Sequence, residues 1–573
     1  MTTPLRARTP AEVRQLAPEA LDGLCAELRA ELVRVCGLVG GHLGASLGTV
    51  ELTVALHRVF RTPVDRLVFD VGHQAYAHKL LTGRADRFGT LRQAGGIAPF
   101  LDPRESEHDA FAAGHAGTAV SVALGLLHGK ARVGLPGHVV AIVGDGALTS
   151  GLSFEGLNNA TGQGPPLKIV LNDNGMSISQ NVGAIPHALQ HQARRLFESL
   201  GFTYLGPVDG HALGPLISAL TALRDSPRPA VLHVHTVKGK GFAPAEDDRR
   251  TRGHAMGPYE LRDGKLVRSR QGQATFSDAF AAALEAAMAA DPRVVAVTPA
   301  MLEGSSLVGL QQRFPDRVFD VGIAEQHAVA FCAGLAREGA RPVCCIYSTF
   351  LQRAFDQLVH DVALPGLPVT FAVDRAGLVG ADGATHQGAF DVAMLRALPG
   401  VEVAAPVVGD DVPALLSRAL QATHPVAIRF PRGTVPATPP GFPALGGGAR
   451  WLKGGPGAPL TFVTLGPLGL AALEAAQGDW AVLDAVRASP LDEAALASIG
   501  GALVVAEEAT TRGGLGEAVL EALARRGLSP RVRLLGLPAD RFVPHGEART
   551  QRAELGLDAA GLARAARALL EPR

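Results

Sequence analysis

Val139-Val140-Ala141-Ile142-Val143-Gly144-Asp145-Gly146-Ala147, followed by Leu167-Lys168-Ile169-Val170-Leu171-Asn172-Asp173-Asn174, decides how this chain is read. Each stretch opens with a short apolar run, as a strand buried on both faces of a parallel sheet does. Two neighbouring strands then present an Asp carboxylate and an Asn carbonyl at the carboxyl edge of one sheet, where open α/β sheets bind ligands. Hard oxygen donors beside a glycine turn suit Mg²⁺ carrying a diphosphate, because Mg²⁺ takes few protein ligands and completes its shell with phosphate oxygens. The glycines let backbone approach phosphate, and a helix predicted to start near Ser150 aims its amino end at negative charge. Taken singly, Gly-Asp-Gly reads as an ordinary turn and Asp145 as a helix N-cap. The second string after the second strand tips the reading towards a metal site.

The same alternation of strand and helix extends in both directions, so the fold class is α/β, with three doubly wound domains. The first spans 1–242 and binds the diphosphate and metal. A polar stretch at 243–273, rich in Arg, Asp and Gly, reads as a linker. The second domain, 274–433, opens with a helix at 277–290 and continues with strands at 294–298, 317–321, 342–346, 368–373 and 426–430. A Pro- and Gly-rich bridge at 434–459 leads to a third domain, 460–573, with strands at 460–464, 481–485, 502–506 and 532–535. No short-period repeat is present, which argues against a solenoid.

A chain of 573 residues exceeds what one hydrophobic core supports. With 47 % hydrophobic and 19 % charged residues it is globular, and a formal net charge of +0 gives no basic surface for nucleic acid or membrane. The five cysteines have neither metal-ligand nor disulfide spacing. The first thirty residues contain acids and lack a signal-peptide core, and no apolar span is long enough to cross a membrane, so a cytoplasmic enzyme is expected.

The paired strings resemble the thiamine-diphosphate signature of transketolase-like enzymes. Further strings narrow the resemblance to the 1-deoxy-D-xylulose-5-phosphate synthase family: Gly40-Gly41-His42, Asp70-Val71-Gly72-His73-Gln74-Ala75-Tyr76, Gly322-Ile323-Ala324-Glu325-Gln326-His327, Tyr347-Ser348-Thr349-Phe350, Asp374-Arg375-Ala376-Gly377 and Thr385-His386-Gln387-Gly388. They run in the family's order from about residue 36 to about residue 550. The resemblance implies a transketolase-like architecture and a homodimer with each active site inside one chain. It also implies decarboxylative condensation of pyruvate with D-glyceraldehyde 3-phosphate, the first step of non-mevalonate isoprenoid synthesis and a supply for thiamine and pyridoxal.

The resemblance also assigns residues. Mg²⁺ is held by Asp145, Asn174 and the Met176 carbonyl, and Gly146 and Ala147 approach the diphosphate. His73, the turn Gly114-His115-Ala116 and Phe242 contact thiamine diphosphate; Ala116 stands where the family has Ser, and Phe242 where it often has Tyr. Glu325 hydrogen-bonds N1′ of the aminopyrimidine, a role that needs a carboxyl shielded from water. On position alone Glu325 reads as a first-turn glutamate favoured by the helix dipole. His42 and His386 sit near the reacting carbons as orienting or proton-relaying groups. Tyr347, Arg375 and Arg432 anchor the substrate phosphate, guanidinium forks being suited to it, and Asp382 contacts a hydroxyl. In the third domain Glu507-Glu508 and Gly513-Gly514-Leu515-Gly516 read as structural.

One stretch departs from the family. Between Ala184 and Leu200 only residues 185–199 intervene, where the family has a long helix-containing segment. Folding and cofactor binding are expected to survive, since the flanking strand and helix signals are intact. The alternatives left open are a transketolase, a 2-oxo-acid dehydrogenase component and a non-catalytic cofactor-binding variant.

Overall fold

The computed structural model describes residues 9–571 except 163, 263–264 and 269–272. They form two compact units: Met1–Gln271 with Gly322–Ala324, and Gly272–Val321 with Glu325–Arg573. Among the described residues no helix is long and apolar enough to cross a membrane.

The first unit is built on five parallel strands: β1 (Arg66–Phe69), β2 (Val139–Gly144), β3 (Lys168–Asp173), β4 (Thr203–Asp209) and β5 (Ala230–His235), in the order β1-β2-β3-β5-β4. β2 and β3 are buried over their first five residues, so successive side chains meet helices on both faces. Each fully buried Val, Leu or Ile contributes about 1.5–3 kcal/mol by leaving water. The register pairs Gly144 with Asn172, which sets Asp145 and Asn174 just past adjacent strand ends.

The stretch read as a linker at 243–273 is not bare. It carries the helix Ala243–Glu246 and an antiparallel hairpin of β6 (Tyr259–Arg262) and β7 (Lys265–Arg268). It also packs on the first unit: Gly41 and Met256 form a two-way backbone bridge, and Gly44 N–H donates to Gly253 O at 2.9 Å. A Cβ on Gly44 would sit 1.9 Å from Arg252 O, so that approach requires glycine. Long-range backbone bonds order this segment, and hydrophobic periodicity does not register them.

The second unit holds two sheets. One runs β17-β12-β13-β11-β10-β8-β9, from β8 (Val294–Thr298), β9 (Val318–Asp320), β10 (Arg341–Tyr347), β11 (Thr370–Asp374), β12 (Glu402–Ala404), β13 (Val426–Arg429) and β17 (Arg487–Ser489). The other runs β14-β16-β15-β18-β19, from β14 (Arg450–Lys453), β15 (Leu460–Thr464), β16 (Ala481–Asp484), β18 (Ala502–Thr510) and β19 (Val532–Leu537). All pairings are parallel except β12–β17 and β14–β16. β14 falls inside the bridge read at 434–459, and β17 from the carboxy-terminal region completes the edge of the other sheet. The two sheets also share one core, in which Val297, Cys344 and Ile346 join Leu465, Val505 and Leu515. The helix Phe276–Ala290 starts at a capping box: Thr275 Oγ1 accepts the Asp278 N–H, and the Asp278 carboxylate accepts the Thr275 N–H.

Candidate active site

In the first unit Asp145 is buried just past β2. Its Oδ2 accepts Asn181 Nδ2–H at 2.7 Å, while its Oδ1 is buried without a hydrogen-bond partner. Burial first, and then the negative charge of Asp173, hold its carboxyl well above the usual range. A divalent cation would relieve both effects, so the donor set fits Mg²⁺. Across the strand gap Asn174 Oδ1 accepts the Met176 N–H at 3.0 Å, which folds the loop after β3 back on itself. Lys238 ties down the next residues, donating to Ser177 O at 2.7 Å and Ile178 O at 3.2 Å. A Cβ on Gly146 would meet Ser177 Cβ at 2.7 Å, so loop and turn touch through glycine. Ala147 is buried in the turn Gly146–Thr149, ahead of the helix Gly151–Ala160.

The turn Gly114-His115-Ala116 is clamped to the end of β1, because the Asp70 carboxylate accepts the N–H of Gly117 at 2.8 Å and of Ala119 at 3.0 Å. His42 and His73 lie together, ring centroids 5.7 Å apart. A third histidine, His254, joins them at 5.6 Å from His42 and 5.1 Å from His73. Burial, with the Lys238 charge second, pushes His73 down to about 3 and His254 well below its ordinary value. Both rings are therefore neutral near pH 7, and the Nδ1 atoms of both are buried without a hydrogen-bond partner. His254 escaped the sequence reading because it lies in the stretch taken as a linker. The available signal was Gly253-His254, which repeats Gly41-His42, Gly72-His73 and Gly114-His115. Phe242 sits in an apolar cluster with Tyr76, Met256 and Tyr259, its ring 6.0 Å from that of Tyr259.

In the second unit Glu325 is the first residue of the helix Glu325–Arg337 and is 4 % exposed. Its Oε2 accepts from Arg353 Nη1 at 3.3 Å. Tyr347 ends β10; its ring stacks on Phe350 at 5.5 Å, and the Arg375 guanidinium lies over the ring at 4.2 Å. His386 meets the Phe350 ring edge-on at 5.6 Å, and its Nδ1 is 2.9 Å from Thr385 Oγ1. Arg375 follows β11 with φ 58°, a left-handed conformation that non-glycine residues rarely adopt. It is held there by Asp374 and by Ser277 Oγ, at 2.8 Å from the latter. Arg432, half-exposed, donates to Asp382 Oδ2 at 3.0 Å. Burial raises the Tyr347 hydroxyl well above its ordinary value, and Arg375, Asp374, Arg432 and Asp382 all act on it. The four substrate-anchor candidates are thus neighbours, with both guanidiniums already paired to carboxylates.

Comparison with known proteins covers the chain from end to end. The family model described as 1-deoxy-D-xylulose-5-phosphate synthase matches residues 5–195 and 190–236. The transketolase pyrimidine binding domain matches 272–438 and the transketolase C-terminal domain 451–562. The 1-deoxy-D-xylulose-5-phosphate synthase of Myxococcus xanthus is 68 % identical over 573 residues, covering 99 % of this chain and 98 % of that protein. Its namesake from Anaeromyxobacter sp. (strain Fw109-5) is 49 % identical over 623 residues, covering 99 % and 98 %. A solved transketolase from Campylobacter jejuni is 18 % identical with a TM-score of 0.46, covering 96 % of this chain and 99 % of that one. The alignment spans 573 residues for the Myxococcus relative and 623 for the Anaeromyxobacter one, so the former is close to this chain in length. The two pieces of the first match meet over 190–195, inside the helix Ala184–Ser199. Gln192 leaves helical geometry there, at φ −138° and ψ 19°, so one kinked helix spans the junction of the two matched pieces.

Proposed function

The chain belongs to the 1-deoxy-D-xylulose-5-phosphate synthase family, and on that premise we propose that it condenses pyruvate with D-glyceraldehyde 3-phosphate, releasing CO₂ and 1-deoxy-D-xylulose 5-phosphate. Thiamine diphosphate and Mg²⁺ are the cofactors of this reading, and the product feeds isoprenoid, thiamine and pyridoxal synthesis. The observation that carries it is Asp145 Oδ1, a buried carboxylate oxygen that no group of the protein satisfies.

When bound, thiamine diphosphate supplies the electron sink for CO₂ loss and carbon–carbon bond formation. The protein's part is to bind, orient and keep dry. Asp145, Asn174 and the Met176 carbonyl would hold Mg²⁺; Gly146 and Ala147 would offer backbone to the diphosphate; His73, Gly114, His115, Ala116 and Phe242 would line the cofactor's body. Residues 1–242 carry this half and 274–433 the pyrimidine half. Glu325 would hold a proton at the aminopyrimidine N1′, and its low exposure supports that role. A neutral imidazole at His73 leaves no cation to repel the thiazolium. His42 and His386 would hold or pass a proton at substrate oxygens. Tyr347, Arg375 and Arg432 would take the phosphate and Asp382 a hydroxyl. The homodimer and cytoplasmic setting are part of the same proposal, and mass measurement in solution tests the first.

The deciding experiment supplies pyruvate with thiamine diphosphate and Mg²⁺, with and without D-glyceraldehyde 3-phosphate, and follows CO₂ and product mass. CO₂ together with a deoxypentulose phosphate is the expected result. Ketol transfer between sugar phosphates without CO₂ from pyruvate would replace this reading with transketolase activity. Cofactor binding with neither reaction would make the chain a binding variant.

A further inference from the structure

A second cluster of metal-ligating side chains lies on the first unit, adjoining the Mg²⁺ candidates through Asp173, whose charge acts on Asp145. β3 and β5 run parallel with Asp173 opposite His235, and His233 lies two residues back on β5. Alternation along a strand puts His233 and His235 on the same face, beside Asp173. Asp173 Oδ2 lies 2.8 Å from His233 Nε2 and 3.9 Å from His235 Nε2, and the three donor atoms fall within 4.8 Å of one another. The two imidazoles stand nearly perpendicular, at 87°. Among the described residues this is the one such group of three.

Its surroundings are those of a ligand and not of a loose surface triad. His233 is buried, and its Nδ1 is engaged by the Tyr204 hydroxyl at 2.8 Å, which leaves Nε2 to face the cluster. A hydrogen bond to the far ring nitrogen is how proteins orient a ligating histidine. The Arg194 guanidinium covers the Tyr204 ring at 4.9 Å. The two histidines of the cluster line a cleft of about 700 Å³ beneath the helix Ala184–Ser199, with Gln190, Arg194 and Tyr204. The cleft leaves room for water on the open side of a cation.

We propose that Asp173, His233 and His235 bind a divalent cation of the Zn²⁺ type, with water from the cleft completing its shell. Two imidazoles and one carboxylate are a borderline donor set, which favours Zn²⁺, Co²⁺ or Ni²⁺ over Mg²⁺. Ligand bonds of about 2.1 Å in a tetrahedral shell put donors about 3.4 Å apart, so side-chain adjustments of under about 1 Å suffice. With the cation on Nε2, Nδ1 carries the ring N–H and donates it to the Tyr204 oxygen, whose own O–H turns away. The cation would clip the ends of β3 and β5 together directly before Asn174.

The test titrates Zn²⁺ into the full chain with Mg²⁺ in large excess, and separately records the visible spectrum with Co²⁺. The expected result is one Zn²⁺ per chain, with affinity falling about 10–100-fold or more in H235A, a largely exposed position whose loss leaves the fold intact. The Co²⁺ absorption bands of low coordination number should vanish in H235A and persist in D145A and H191A. Unchanged Zn²⁺ affinity in H235A, or no binding by the parent chain, overturns the proposal. So does loss in H191A alone, which would move the ion to the His187–His191 pair on the helix, whose rings lie 4.5 Å apart. Loss in D145A alone would assign it to the Mg²⁺ candidates. The readout is metal and not turnover, so this proposal and the proposed reaction fail independently.

Discussion

Asp145 in the first unit and Asp374 in the second are both buried carboxylates at the ends of central parallel strands, yet their surroundings are opposite. Asp374 accepts from Ser277 Oγ at 2.8 Å and from its neighbour's N–H at 2.7 Å, and is ion-paired to Arg375. Asp145 has one partnered oxygen and one bare one, and the nearest charge acting on it, Asp173, is negative. Burying a carboxylate without a counter-charge is expensive. Around Asp374 the second unit supplies a counter-charge of its own, while Asp145 is left with an unsatisfied oxygen, as the proposed cation site requires. The Asp145 carboxylate lacks a counter-charge, whereas the Asp374–Arg375 and Asp382–Arg432 pairs are already neutral, so the proposed phosphate would have to compete for their guanidiniums.

The largest effect expected from this contrast is in D145A. On the proposed function, D145A removes a carboxylate from beside the cation and forfeits about 4 kcal/mol, using an effective dielectric suited to partly wet sites. Mg²⁺-dependent thiamine diphosphate binding should weaken about a thousandfold, measured by titrating the metal at fixed cofactor. Without metal, the same variant should melt no lower than the parent, because a buried carboxyl with an unsatisfied oxygen has been removed. R375A should do the reverse. It strands Asp374 without its cation, which costs about 3 kcal/mol of stability. A denaturant melt of R375A that matched the parent would erase the distinction between the two carboxylates.

A smaller effect is expected at Arg432, whose pair with Asp382 is half-exposed. R432A should raise KM for the phosphorylated acceptor about 30-fold, the worth of one charge-assisted contact of about 2 kcal/mol, with stability nearly unchanged. Cleavage of pyruvate alone should be affected less, which steady-state kinetics with each substrate varied will separate. Equal losses for both substrates would remove Arg432 from the acceptor anchor.

The contrast itself was not legible in the sequence, although most of its members were. Asp145, Asn174, Glu325, Tyr347 and Arg375 all end or follow strands whose apolar runs mark them, and a parallel sheet collects such residues at its carboxyl edge whatever the connecting helices do. What a pattern of single residues leaves open is pairing across the chain. Arg432 meets Asp382 across 50 residues, and Arg375 meets Ser277 across 98. The short edge strands β14 and β17, four and three residues long, offer too few positions for alternation to register. His254 was hidden for a related reason: the backbone bridge between Gly41 and Met256 places its segment, and that segment has no amphipathic period of its own.

That hidden segment carries the last and smallest prediction. His73 and His254 are buried against each other and beside Lys238, and both are held neutral. A histidine whose folded pKa is depressed binds its proton more readily when unfolded. Its contribution to stability is therefore complete above the unfolded value near 6.5 and is lost as pH falls towards the folded value, about 3 for His73. Between pH 7 and pH 6 that amounts to about 0.7 kcal/mol for His73 alone. In a domain of this size it corresponds to about 2 °C in Tm. The cofactor-free protein should accordingly melt earlier at pH 6 than at pH 7, through its first unit, and H73N should flatten the slope. In the second unit burial raises the Asp374 carboxyl above its ordinary range, so its protonation favours the folded state as pH falls, the opposite sign to the histidines. If the acid-sensitive transition instead followed R375A and not H73N, charge in the second unit would govern the response and the neutral-histidine cluster would have no part in it.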